Sequence, residues 1–388
     1  MQADAPSVGA LFERIVALER GLAPRLLDRT KVERLDFSYI EAARRWSAAV
    51  WIAAEALGPV ELSEQAIERG LTLASRPVFV LGAHRSGTTL LRDLLDGHPA
   101  LAVLPFETSF YTHFRRRAAG GDPGGQASSI GQEWLRRLVN PNNQAPFWLL
   151  GRSDETGSPY VDLVRLFSSW RHALGRTGDR ARPAALLAAF ALAYAGRAAA
   201  GAAPPAMRMW VEKTPTSEQA LDDILADFPE AKFLHVIRGP ENAYSSHKAL
   251  LRQGGQTGRA ALGALRNLAR SYAIAIERSR TRPSDRYRLV RYEELAEAPA
   301  ATMHGIADFL GIEPLPILSR STVAGLPASR NSSFPEGRRG SADLLGRFER
   351  DVLALALGRD AILLGYKPVQ PGSPLGRALR AAQRMLTR

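Results

Sequence analysis

Apolar residues fall into two rhythms along this chain. Short, mainly apolar runs occur at 78–81, 101–104, 207–211, 231–237 and 287–290. Runs of that length predict strands buried on both faces of a parallel sheet. Between them, apolar residues recur at helical spacing. Leu90, Leu91, Leu94 and Leu95 share one face, Leu221, Ile224 and Leu225 mark a short helix, and 259–280 is a long amphipathic stretch. A further helix follows Tyr292-Glu293-Glu294-Leu295 and ends at Phe309-Leu310-Gly311. Strands alternating with helices predict an α/β fold, a parallel sheet flanked by helices on both faces.

The flanks carry a helical rhythm only. Leu11, Ile15, Leu18 and Leu22 share one face, and Ile40, Trp46, Val50 and Trp51 form a second pattern. Residues 1–75 therefore read as an N-terminal helical extension, with packing as its default role. The α/β domain spans 76–370. Within it, residues 109–206 form a helical insertion expected to face the substrate, with Trp134, Phe147, Trp148 and Trp170 along it. The Gly-rich stretch 120–131 is expected to be a mobile loop. The apolar run 184–196, ended by Arg197, is too short to span a bilayer. Residues 371–388 form a basic C-terminal tail, Pro- and Gly-linked and then amphipathic.

The first strand runs straight into Gly82-Ala83-His84-Arg85-Ser86-Gly87, and Thr88-Thr89 opens the next helix. Strand, Gly-bearing loop, hydroxyls and helix is a phosphate-binding design, because loop N–H groups and a helix N-terminus converge on an anion. The spacing of Gly82 and Gly87 gives a P-loop-like pattern, but Thr88 stands where an NTP-hydrolysing loop needs lysine. The cation sits inside the loop, as Arg85. An anion is still expected, other than a magnesium nucleoside triphosphate. Three more strand ends carry polar groups: Glu107 after the second, Lys213 at the third, and Arg238 after the fourth, with Ser246 eight residues on. Ligands of open parallel sheets gather at these carboxyl ends. One anion at the loop and another near Arg238 suggest a nucleotide phosphorylated at both ends of its ribose.

Composition narrows the chemistry. Over 388 residues, 51 basic against 39 acidic side chains give a formal charge of +12, which favours an anionic partner. There is no cysteine, which excludes disulfides, thiolate metal sites and thiol catalysis. Lysine is scarce where arginine is the default cation, so Lys213 suggests a point charge or proton donor. No basic-then-apolar leader opens the sequence, so a cytoplasmic location is expected. The charge is spread without an aromatic-and-basic platform, so nucleic acid is not expected as a partner. The N-terminal helices and basic tail leave peripheral membrane contact open.

With these motifs in order, the sequence over roughly 77–310 resembles the sulfotransferase family, whose members use 3′-phosphoadenosine-5′-phosphosulfate (PAPS). Arg85-Ser86-Gly87-Thr88-Thr89 is similar to the family's 5′-phosphosulfate loop. Ile237-Arg238-Gly239-Pro240 with Ser246 is similar to its 3′-phosphate motif, although the family usually has Asp where Gly239 stands. Glu212-Lys213-Thr214-Pro215 and Tyr292-Glu293-Glu294-Leu295 resemble motifs of bacterial and tyrosylprotein-type members, and Leu364-Gly365-Tyr366 is a weaker echo.

The resemblance implies PAPS as donor, 3′,5′-bisphosphoadenosine as product, no metal, and a hydroxyl acceptor on a carbohydrate, lipid or small molecule. It implies Glu107 as general base, with His113 as runner-up, and Arg85 and Lys213 as stabilising cations. It also implies Tyr292 in the adenine pocket and Arg339, in Arg338-Arg339-Gly340, closing over the 3′-phosphate. His98, before a proline, reads as structural. An atypical P-loop kinase and a non-catalytic nucleotide-binding module remain the alternatives.

Overall fold

The computed structural model of the protein describes residues 7, 9–11, 13–15, 17–18, 37–57, 71–115, 123–138, 159–174, 189, 207–253, 255–256, 258–281, 285–323, 326–327 and 345–386. Each of the five apolar runs forms a strand: β1 (Pro77–Leu81), β2 (Leu101–Val103), β3 (Met209–Lys213), β4 (Lys232–Ile237) and β5 (Tyr287–Arg291). All pair in parallel, in the order β2-β3-β1-β4-β5. β1 lies at the centre, so the chain crosses over it between β3 and β4. The ends of β3 and β4 therefore flank the loop that follows β1.

The larger helices are α1 (Phe37–Leu57), α2 (Thr88–Leu95), α3 (Pro123–Leu138), α4 (Pro159–Leu174), α5 (Leu221–Asp227) and α6 (Pro240–Gln253). They continue with α7 (Arg259–Thr281), α8 (Tyr292–Glu297), α9 (Pro299–Leu310), α10 (Arg347–Leu363) and α11 (Pro374–Leu386). Side chains alternate across the sheet, as a period of two demands. Val78, Val80, Val211, Leu234 and Val236 pack with Leu91, Leu94, Ile306 and Leu310 of α2 and α9. Phe79, Leu81, Trp210 and Phe233 face the other way, into a core shared with α1, α3 and α4. A third core joins α6, α7 and α10 beside the end of β4. The apolar run 184–196 lies outside the described residues except for Ala189, which is helical and buried.

The N-terminal extension and the insertion meet through aromatic rings. Trp51 of α1 sits 5.9 Å from Trp170 and 6.1 Å from Phe167 of α4, and Trp170 sits 5.2 Å from Trp134 of α3. The two Trp51 contacts are edge-on, and ring contacts of this kind add to the area the rings bury.

One expectation is corrected here. From Pro123 onward, the Gly-rich stretch read as a mobile loop is the first half of α3. Proline is tolerated in a first helical turn, and Ile130, Trp134 and Leu135 give the helix its buried stripe. Gly131 supplies room rather than freedom. A Cβ there would lie 2.2 Å from Trp51 and 2.7 Å from Trp170. The tail also differs in degree: residues 374–386 form a full helix, α11, on α10.

Gly131→Ala is therefore expected to destabilise the protein by about 1–3 kcal/mol through overpacking. The readout is a lower denaturation midpoint at unchanged slope. An unchanged midpoint would mean that α3 does not pack against the two tryptophans as described.

Candidate active site

The loop after β1 is shaped by steric closeness. Gly82 has φ +140°, and a Cβ on it would lie 2.3 Å from the Val236 carbonyl oxygen of β4. Gly87 has φ +100°, and a Cβ there would lie 2.3 Å from the Tyr292 ring. Between them Arg85 is left-handed, with φ 69°. Such turns aim successive N–H groups into one concavity, the geometry of an anion nest. Ser86 and Thr88 are buried in it, and α2 starts at Thr88.

A carboxyl beneath the loop holds it in place. The Gly82 N–H donates to Glu218 Oε2 at 3.1 Å, and the Gly82 carbonyl accepts from the Thr216 N–H at 2.9 Å. Glu218 is buried, and burial pushes its pKa up to about 7, against the Gly82 N–H and the Ser271 hydroxyl, which pull it down. Ser271 also bonds His235 Nε2 at 2.9 Å. Burial holds that imidazole neutral, at about 3.

One flank of the loop gathers Glu107, Lys213 and Thr89. Lys213, 2% exposed, donates to Glu107 Oε1 and to Thr89 Oγ1, the latter at 3.0 Å. Alternation along β3 separates its two polar neighbours. Lys213 points to the loop, while Glu212 and Thr214 point to the segment after β2. There Glu212 Oε1 accepts from the Thr108 hydroxyl at 2.7 Å, and Thr214 Oγ1 accepts from the Ser109 N–H at 3.0 Å. Arg92 of α2 donates to the Pro105 carbonyl at 3.2 Å, and Trp134 of α3 donates to the Thr108 carbonyl at 2.9 Å. Glu107 is thus carried on a segment pinned from three sides. Its burial opposes ionisation, but the Lys213 ammonium prevails and holds the carboxyl below the usual range.

The other flank gathers Arg238, Ser246, Tyr292 and the Arg85 guanidinium. Arg85 Nε donates to Ser246 Oγ at 3.0 Å, and Arg238 Nη1 donates to the Arg85 carbonyl at 3.2 Å. The Arg238 guanidinium lies 4.3 Å from the centre of the Tyr292 ring, a cation–π contact. Arg238 Nε is buried and has no hydrogen-bond partner among the described residues. A buried guanidinium N–H left over in this way is chemically suited to an anion. At Gly239 a carboxylate comes from elsewhere. The Gly239 N–H donates to Glu293 Oε1 at 2.8 Å, and Glu293 Oε2 accepts from the Tyr366 hydroxyl at 2.9 Å.

The structure brings together most of the residues singled out in the sequence, as two groups. Glu107, Lys213 and Thr89 stand on one side of the loop, with Arg85, Arg238, Ser246 and Tyr292 on the other. Arg85 belongs to the second group by its side chain. Arg338, Arg339 and Gly340 lie outside the described residues. His113 is exposed on a π-helical turn, Phe110–Phe114, beside the Thr112 hydroxyl at 2.8 Å. His98 is structural: its Nε2 donates to the Glu313 carbonyl at 2.9 Å, and its Nδ1 accepts from the Ala100 N–H at 3.1 Å.

Four residues escaped the sequence reading. Glu218 and Glu293 lie far along the chain from the loop and the strand end they support; no local pattern marks Glu218, and the motif holding Glu293 does not reveal its partner at Gly239. His84 and His247 did carry a signal, since one sits inside the loop and the other beside Ser246. Their rings are 5.2 Å apart. Burial, then His84 and Arg85, depress His247 to about 4. His84 is depressed too, first by desolvation and then by Lys213, Arg85 and His113, against the pull of Glu107. The site therefore offers cationic side chains on both flanks of one loop, a carboxylate, and neutral imidazoles from the loop and from α6.

A family model described as "Sulfotransferase family" matches residues 77–316. A search of curated proteins found no match. Among solved structures, the chain is similar to the sulfotransferase domain of the olefin synthase of Synechococcus PCC 7002, with 19% identity and a TM-score of 0.44, covering 80% of this chain and 94% of that one. It is also similar to the sulfotransferase STF1 of Mycobacterium tuberculosis H37Rv, with 17% identity and a TM-score of 0.38, covering 81% of this chain and 92% of that one.

The raised pKa of Glu218 has a defined effect on stability. Folding favours its protonated form, so its contribution is fully present below the ordinary value of 4.5 and is lost as the pH rises through about 7. Glu218→Gln keeps an acceptor for Gly82 and removes the titration. Between about pH 4 and about pH 8, wild type is expected to lose up to about 3 kcal/mol relative to this variant. Denaturant unfolding at the two pH values reads the difference. Parallel stability curves would show that Glu218 does not titrate in the folded protein.

Proposed function

The chain belongs to the sulfotransferase family, whose model covers more than half of its length, and on that premise we propose how and on what it acts. Sulfonyl transfer is the reaction class. The donor in our reading is PAPS, and the acceptor is a hydroxyl on a carbohydrate, lipid or small molecule. One observation carries the reading. The loop separates an ion-paired carboxylate, Glu107–Lys213, from a buried Arg238 N–H that has no partner among the described residues. A donor with a reactive sulfate at its 5′ end and a phosphate at its 3′ position supplies an anion for each flank.

In this scheme the acceptor oxygen forms a bond to sulfur, and the bond between sulfur and the 5′-phosphate oxygen breaks. The hydroxyl proton passes to Glu107. Lys213 and the loop N–H groups meet the charge that develops on the leaving oxygen. Lys213 also keeps Glu107 ionised until it is needed. When the ammonium turns toward the leaving oxygen, the carboxylate regains the basicity that the ion pair suppressed. Thr89 holds Lys213 within reach of both. Arg85, bonded to Ser246, spans the two ends of the donor, while Arg238 and Ser246 take the 3′-phosphate. Tyr292, wedged between Gly87 and Arg238, sets the distance between the flanks. The scheme assigns no step to a metal.

One observation favours a second reading of the proton's path. The His84 imidazole is held neutral in the electrostatic reach of Glu107. A neutral imidazole is a competent base near neutral pH.

Arg85→Ala and Arg238→Ala are each expected to abolish micromolar binding of 3′,5′-bisphosphoadenosine in calorimetry, and retained micromolar affinity in both would overturn the donor assignment. Glu107→Gln is expected to lower kcat by about 10²–10⁴-fold with little change in donor KM. Sulfation of an acceptor, identified by accurate mass, is the assay. If Glu107→Gln keeps full kcat while His84→Asn takes the loss, the proton goes to His84.

A further inference from the structure

The last helix is turned inside out. α11 places Arg380 and Gln383 against α10 and Leu375, Leu379 and Met385 in solvent. Arg380 is only 6% exposed and lies across Gly358, where an added Cβ would stand 2.2 Å from its guanidinium. Gln383 donates to the Leu355 carbonyl at 3.2 Å. Gly376 abuts Asp351, whose carboxylate accepts from the Gly372 N–H at 2.8 Å and the Ser373 N–H at 3.1 Å. On the opposite side, Leu375 is 68% exposed, Leu379 is 48% and Met385 is 74%. Ala378, Ala381 and Ala382 fill the gaps between them and are exposed as well. Residues at this spacing form one continuous stripe along a helix. Phe348 adds an exposed ring from the first turn of α10, next to the point where Gly372 leads into α11.

Within the tail segment the charge has a single sign, the Asp351 carboxylate at the start of α11 coming from α10. From residue 367 to 388 the sequence holds Lys367, Arg377, Arg380, Arg384 and Arg388 and no Asp or Glu. Arg377 is exposed on the flank of the stripe. A helix with an apolar face and a basic flank has the makings of an interfacial helix, lying in the plane of a membrane surface. Among the described residues no helix is long and apolar enough to cross a membrane. A second copy of the chain is a poorer occupant. Pairing two such faces would set two all-cationic segments against each other, with no carboxylate within them to offset the repulsion.

We propose that α11 docks the protein on an anionic phospholipid surface. Leu375, Leu379 and Met385 enter the boundary between headgroups and acyl chains, and Arg377 meets the lipid phosphates. The docking is independent of the sulfotransferase chemistry, because no site residue lies on α11.

Vesicle flotation with the full chain tests this, comparing phosphatidylcholine alone with phosphatidylcholine containing phosphatidylglycerol. Wild type is expected to float with the anionic vesicles and to be released by high salt. The double variant Leu375→Glu/Leu379→Glu is expected to bind at least about tenfold more weakly. Arg377→Glu is expected to weaken binding and flatten its salt dependence. Both changes are at exposed positions, so denaturation midpoints should match wild type. If the double variant fails to fold, Met385→Glu takes its place. Wild type that ignores anionic vesicles, or variants that bind as wild type does, would overturn the proposal. So would a wild-type dimer, seen in solution mass measurement, that the double variant converts to monomer, since the face would then belong to a second copy.

Discussion

The Gly82 N–H and the buried Glu218 carboxyl hold the site together. A loop that opens its N–H groups toward an anion gives up their usual backbone partners, so something else must fix its shape. Glu218 does this from below, in the turn after β3. Gly82 has no room for a side chain between the loop and β4, so the grip can be close. The carboxyl bears the cost of burial by leaning toward its protonated form. The loop is thereby locked to both strands that flank β1, and the groups at their ends face a fixed concavity.

From that concavity the charges divide by strand. Parallel order puts the end of β3 on one side of the loop and the end of β4 on the other. The period of two then sorts neighbours in sequence: Lys213 faces the loop, while Glu212 and Thr214 anchor the segment that carries Glu107. The Glu107–Lys213 pair keeps two opposite charges ready without exposing either to an unbalanced, poorly solvated environment. At the β4 end the guanidinium of Arg238 stacks on Tyr292 and keeps one N–H in reserve.

Distance along the chain means little in the helical layer. The N-terminal helix and the insertion helices are separated by the loop and two strands, yet they close one aromatic core over Phe79 and Trp210. Trp134 belongs to that core and also holds the Thr108 carbonyl, so the layer helps position the Glu107 segment. At the other end of the chain, α10 takes the polar side of α11, and the apolar stripe is left outside.

The strands, their order of appearance, the anion loop and the missing Walker lysine were all legible in the sequence. Short apolar runs, glycine spacing and cation placement are local properties, and each follows from residues a few positions apart. The residues singled out at strand ends also came together, because carboxyl ends of parallel strands must share one edge. The Gly-rich stretch before Gly131 misled, since composition cannot tell a glycine that bends from one that makes room for a tryptophan. The contacts of Glu218 and Glu293 and the pairing of His84 with His247 were invisible for a related reason. Their roles arise from groups 54 to 163 positions apart. Sequence alone determined which chemistry stands at the strand ends. Only the tertiary structure decided that Arg85 turns to Ser246 while Lys213 turns to Glu107, and which face of α11 meets solvent, because those choices depend on the walls that packing puts beside each side chain.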